Sequence, residues 1–263
     1  MTPGNPSSNT AEPGIGSIIA KSLEPIFQAT CRFWGKLDEP FRNQTVAMIL
    51  RSVFAISVLG VIVRSFTAHD APGFQRPELA RIFFWHFPCP ILATVLLLQG
   101  GWWAYRFIKT EDLTFDVKSL AALELGFVFS CLTMASGIVF SKAQWGAWWQ
   151  WDPRQTSFLL VLLIYGAYFI LRGAYRELDR RATYSASYIL AAILPALFLI
   201  YLFPRLPQIA QESLHPTSTI LSGQVHGDYA QVILMTLTVT SLFSIWLFRL
   251  RLRAGLLELK TYE

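Results

Sequence analysis

Six apolar runs, each near the ~20 residues a helix needs to cross the hydrocarbon of a bilayer, constrain this chain more than any other feature. Their approximate limits are Thr45 to Phe66, Phe87 to Ile108, Ser119 to Phe140, Thr156 to Leu171, Ala186 to Phe203 and Tyr229 to Leu250. Only 15% of the residues are charged, against about 25% in soluble domains. A spanning segment must bond every backbone N–H and C=O within itself, so runs of this length read as helices. The expected fold is all-α, a polytopic membrane bundle of six transmembrane helices. Residues 45–250 form that domain, between an N-terminal tail (1–44) and a C-terminal tail (251–263). The tail's Pro25 to Phe41 mixes Phe and Trp with Lys and Arg and suits a short amphipathic segment on a membrane surface.

Charge sets the expected orientation. Of the 22 Lys and Arg, 16 fall in or beside the N-terminal part, the second-to-third and fourth-to-fifth loops and the C-terminal tail. The positive-inside rule then places both termini in the cytoplasm. The net charge of +5 reflects this topology, because the basic residues flank apolar runs and form no single patch for nucleic acid. Cys31, Cys89 and Cys131 form no Cys-x-x-Cys and no covalent haem attachment motif. No P-loop and no nucleophile arrangement is present, so the expectation is a binding protein, not an enzyme, and one that uses no ATP itself.

Four of the nine tryptophans, Trp145, Trp148, Trp149 and Trp151, fall within seven residues on the expected outer side. Single tryptophans at a membrane boundary are ordinary; a block of them is a surface. The next residues read as a helix start, with Asp152 as N-cap, Pro153 at the first position and Gln155 in the capping-box place. If the helix continued backward, Trp145, Trp148 and Trp149 would share a face. Arg154 places a cation in the first turn, against the helix dipole, which points to an anion there. An aromatic platform beside a positive helix start suits a large flat ligand carrying negative groups.

All four histidines also lie on the outer side. His86 stands among aromatics at the start of the second span, and His215 and His226 lie in the connection from Pro204 to Asp228. Each alone has an ordinary structural reading. Two neutral imidazoles from separate loops could supply both axial ligands of a haem iron. His226 is an alternative to His215, and His69 reads as a surface residue. Arg81, Lys142 and Arg154 are outer-side cations that could pair with propionates or with lipid headgroups. Glu124, inside the third span, is expected to reach the interface or a cytoplasmic Lys or Arg. Gly100 and Gly101 would let helices approach closely, and Pro195 would kink the fifth span.

Trp145-Gly146-Ala-Trp148-Trp149-Gln-Trp151-Asp152-Pro-Arg154-Gln-Thr-Ser157, preceded by Ser136-Gly137 and Lys142, resembles the tryptophan-rich motif of the haem-handling proteins of cytochrome c maturation. With Arg81-Ile-Phe-Phe-Trp-His86-Phe-Pro88 and Leu214-His215, the chain is most similar to the CcmC, or haem exporter protein C, family over about residues 45 to 250. The larger haem-handling proteins of the other maturation system share the Trp-Asp-Pro ending, but six spans in a short chain favour the first family. The resemblance implies that His86 and His215 are axial ligands of a non-covalently held haem b, carried as transient cargo. It implies that Trp145, Gly146, Trp148, Trp149, Trp151 and Asp152 form the haem-presenting motif. It further implies a bacterial inner-membrane location with the site on the periplasmic side. The partners implied are a membrane-anchored haem chaperone, the subunits of an ABC transporter and a small single-span helper protein. The chain departs from the family pattern at Pro153, at Pro216 and in lacking a tryptophan pair shortly before His215. Two rival readings are a structural docking subunit that binds no haem and a small-molecule transporter.

Overall fold

A computed structural model describes residues 44–70, 73–215 and 227–262. The amphipathic segment expected before residue 42, and His226, lie outside the described residues. Six long helices account for most of the described residues, and no strand occurs among them. They are α1 (Gln44–Thr67), α2 (Pro88–Thr110), α3 (Leu113–Trp145), α4 (Pro153–Gly173), α5 (Leu178–Leu197) and α6 (Gly227–Leu259). Each is long and apolar enough to cross a membrane, so the chain is a multi-pass membrane protein. The described residues fall into two units divided after Ile56. The first half of α1 falls in the former, and its second half with the other five long helices in the latter.

Several helices outrun their expected spans. The third was expected over 119–140 but extends from Leu113 to Trp145, and the sixth runs on to Leu259. Apolar content marks the length that lipid selects, whereas caps decide where the backbone stops. Helix α3 begins where Asp112 accepts the Thr114 backbone N–H at 2.8 Å. Helix α2 ends just before it, on Glu111 in the left-handed region.

Helices α2 and α3 form the most extensively packed pair, with α5 against α2. Their contact is close because small residues face it: a side chain on Gly100 would collide with Leu123, and one on Gly101 with Ile193. The Ser119 hydroxyl donates to the Gly100 carbonyl at 2.8 Å. The core there joins Leu97, Leu123, Tyr165, Tyr168 and Ile189. At this end of α3 sits a pair that composition concealed: buried Asp116 takes both Arg172 guanidinium nitrogens, at 2.8 and 2.6 Å. Glu124 pairs with Arg251 of α6, one bond measuring 3.0 Å.

A second cluster, Phe74, Phe83, Phe84, Phe140, Tyr229 and Val232, anchors the segment before α2 to α3 and α6. That segment is a 3-10 turn, Pro77–Ile82, followed by a one-turn helix, Phe83–His86. Tyr229 donates its hydroxyl to the Ala80 carbonyl at 2.9 Å. In α5, Pro195 lacks the N–H an α-helix needs. Three residues later the chain winds as a π-helix, Phe198–Leu202, and then a 3-10 turn, Phe203–Arg205.

Candidate functional site

The C-terminal end of α3 and the N-terminal end of α4 are joined by the tryptophan segment, and its path is set by a few local bonds. Gly146 ends α3 with φ +84°, a conformation that costs glycine nothing and other residues a good deal. Lys142 caps this end from its side chain, its Nζ donating to the Gly146 carbonyl at 2.7 Å. Helix α4 starts on Asp152, whose Oδ1 accepts the Arg154 backbone N–H at 2.8 Å, with Pro153 at the first position.

Two expectations about this segment need correction. The tryptophans do not continue the helix, because the left-handed turn at Gly146 breaks it; Trp148 and Trp151 are instead 57% and 76% exposed. Gln155 does not close a capping box on Asp152. Its Oε1 accepts the Gln150 backbone N–H at 3.1 Å, folding the segment back on itself. Trp151 sits at φ +56°, a strained conformation for a bulky side chain.

His86, Trp145, Asp152, Arg154 and His215 all line one cleft of about 350 Å³, whose walls include Phe83, Phe87, Met134, Phe140 and Phe158. Size and apolar walls with a few convergent polar groups suit a small-molecule site. Of the motif's four tryptophans, only Trp145 lines it. Trp149 packs edge-on against Trp151, with ring centroids 5.8 Å apart.

His86 is held by α3. Its Nδ1 lies 2.9 Å from the Ser136 hydroxyl. That hydroxyl donates its single proton to the Leu132 carbonyl, at 2.6 Å, so it accepts from His86 Nδ1–H and leaves Nε2 with a lone pair. Phe140 lies nearly parallel to the imidazole, 6.3 Å away, and meets Trp145 edge-on at 5.5 Å. Gly137 makes room: a Cβ there would sit 3.3 Å from His86 Cε1.

His215 lies shortly after a one-turn helix, Pro207–Ala210. Burial, and then the electrostatic influence of Arg154, His86 and Arg205, push its pKa down to about 3. It is therefore a neutral imidazole through the ordinary pH range.

The cations sort differently from the expectation. Arg154 lines the cleft, and so does Arg205, which sequence reasoning missed. The π-helix and 3-10 turn carry Arg205 and Tyr201 to the wall, and Arg205 donates to the Tyr201 carbonyl at 2.8 Å. Arg81 is engaged elsewhere, bonded to the Ser65 carbonyl and to Asp70. Lys142 turns to Gly146, with its ammonium 5.9 Å from the Trp148 ring. His69, exposed, bonds Asp228. Among the described residues, no three His, Cys, Asp or Glu gather as they would around a bare metal ion.

The sequence profile of one family, CcmC, "Heme exporter protein C", matches residues 34–261. "Heme exporter protein C" of Paracoccus denitrificans is 28% identical over 138 residues, 51% of this chain and 54% of that protein. Its namesake from Rhodobacter capsulatus is 29% identical over 147 residues, 53% and 58% of the two chains. The "Cytochrome c biogenesis protein CcsA" of Prochlorococcus marinus is 38% identical over 67 residues, 26% of this chain and 21% of that one. The matched region thus spans about half the length of the heme exporter relatives, while the family profile runs from before α1 to the end of α6. The chain belongs to the CcmC, heme exporter protein C, family.

Proposed function

We propose that this protein handles haem in the biogenesis of c-type cytochromes, holding it non-covalently in the cleft and delivering it to a membrane-anchored haem chaperone. His86 and His215 bind the iron from two sides. Trp145 and Phe140 cover the porphyrin, and Arg154 and Arg205 face its two propionates. The observation that carries this reading is that two imidazoles from sequence-distant segments, a tryptophan and two arginines line one apolar cleft. Two neutral nitrogen donors are too few for a bare ion, but they match an iron whose equatorial positions a porphyrin already fills. Arg205 strengthens the fit, since one arginine alone would leave the second propionate without a cation.

The cleft lies on the periplasmic side of a bacterial inner membrane, with both termini cytoplasmic, as the charge asymmetry of the loops supports. Trp148 and Trp151, exposed outside the cleft, form the surface on which the chaperone docks. The ABC transporter subunits and the small single-span helper complete the assembly. Only coordination bonds to the iron are made and broken, and the porphyrin itself is unaltered, so the protein works as a carrier and not as a catalyst.

Absorption spectra of detergent-purified wild type, His86→Ala and His215→Ala test the ligand pair. Wild type is expected to carry low-spin haem, and each variant to lose it or to turn five-coordinate and high-spin. A variant that keeps full haem content and an unchanged low-spin spectrum removes its histidine from the site. A second reading, a docking subunit without haem, draws on the same exposed tryptophans. Wild type purified from haem-replete cells without a Soret band selects it.

A further inference from the structure

We propose that Asp152 is a positioning residue for His215, a latch that ties the second histidine's segment to the tryptophan motif, and does not itself bind the cargo. Asp152 is 4% exposed. Its two carboxylate oxygens divide their work between segments far apart in the chain. Oδ1 caps α4 by accepting the Arg154 N–H at 2.8 Å. Oδ2 accepts the Leu214 backbone N–H at 2.6 Å and the Ser213 hydroxyl at 3.0 Å. Both bonds from Oδ2 reach the two residues immediately before His215. Ser213 Oγ in turn lies 3.4 Å from the His215 N–H, so the carboxylate, the hydroxyl and the backbone of His215 form one short chain of contacts.

Charge-assisted bonds of this length are the strong kind, and they join the stretch just before His215 to the start of α4. The last backbone bonds before it are those of Glu212 and Ser213 to Ile209 and Ala210. An imidazole on a loop ligates only when its segment is held in place, and a ligand displaced by about an ångström no longer meets its metal. With three donors already on its two oxygens, Asp152 has little capacity left for a cargo group. The carboxylate therefore joins the aromatic segment, the start of α4 and the His215 segment into one unit.

This inference rests on the haem reading for what His215 does, but not for the latch, which belongs to the protein with or without cargo. Asp152→Asn separates the two jobs: asparagine caps helices as well as aspartate, yet its amide nitrogen cannot accept from Leu214 N–H. Ser213→Ala removes one latch bond without touching the cap. In haem-free full-length protein in detergent, hydrogen exchange of the Leu214 amide is expected to rise about ten- to a hundredfold in Asp152→Asn. A smaller rise is expected in Ser213→Ala, with α4 exchange unchanged in both. In haem-loaded protein, Asp152→Asn is expected to show the five-coordinate spectrum of His215→Ala while retaining His86 ligation, and added imidazole is expected to restore the low-spin form. Unchanged Leu214 exchange in Asp152→Asn overturns the latch whether or not haem binds. A raised exchange with an unaltered haem spectrum overturns the positioning role. Wild type that takes up no haem refutes the functional reading and leaves the exchange result to decide the latch.

Discussion

A single hydroxyl decides which nitrogen of His86 is available. Ser136 donates to the Leu132 carbonyl, so its oxygen is placed to accept from His86 Nδ1, which leaves Nε2 as the ring's acceptor. Groups that orient a ligating histidine in this way contribute about 10- to 100-fold in metal affinity. Ser136→Ala is therefore expected to weaken haem binding by about that factor, measured by titrating haem into the haem-free protein, without unfolding it. Equal affinities for the two proteins mean that the ring is oriented by Phe140 and Gly137 instead. Neither Ser136 nor Gly137 announces this role in sequence, because the contact joins residues 50 positions apart. Arg205 was hidden for the same reason. Arg154 stood out in the sequence as a first-turn cation, but Arg81 and Lys142 could be given no more than a place on the outer side, and only folding separates them from the cleft. Arg81 is absorbed by Asp70 and the Ser65 carbonyl, and Lys142 by the end of its own helix.

Helix ends, more than helix interiors, set the geometry of the site. Helix α3 stops at Gly146 because that residue turns left-handed, and α4 restarts at Asp152, leaving six residues, 147–152, to carry three tryptophans across the gap. A Cβ on Gly146 would meet nothing within 4 Å, so the cost of a side chain there is purely conformational. Gly146→Ala is expected to destabilise the protein by about 1 to 2 kcal/mol, lowering the thermal midpoint by a few degrees in detergent. A midpoint equal to wild type would mean that the segment relaxes out of the left-handed turn. The start of α4 was readable from Asp152 and Pro153, since caps are local chemistry. The fate of the tryptophans was not, because helical periodicity continues on paper through a glycine that the backbone uses to stop. Pro195 stands out in the sequence, but the π-helix beyond it, which carries Tyr201 and Arg205 to the cleft, packs against α4, a contact between segments that no local pattern records.

Across the whole molecule, the two ends of the bundle are built from different chemistry. One end holds the cleft, with its imidazoles and indole; the other holds the Asp116–Arg172 and Glu124–Arg251 pairs, which clamp α3 to α4 and to α6. Removing one member of a buried pair strands the other charge at a cost of about 3 to 5 kcal/mol, whereas replacing both with apolar residues is far milder. Asp116→Asn is thus expected to lower thermal stability sharply, and Asp116→Leu combined with Arg172→Met to recover most of the loss. The haem spectrum of the folded fraction is expected to stay unchanged, since the clamp lies near the start of α3 and the cleft at its end. A double variant as unstable as the single one contradicts the clamp. Six spans and the tryptophan block could be read from the chain alone, because hydrophobic length, caps and residue clusters are local properties that lipid and backbone chemistry enforce one segment at a time; the pairing of His86 with His215 came only from the family resemblance. Which tryptophan faces the cleft, which arginines join it, which nitrogen of His86 is presented and what holds His215 were decided by the fold. Each of these depends on contacts between segments far apart in the chain, and no periodicity within a segment records what will be packed against it.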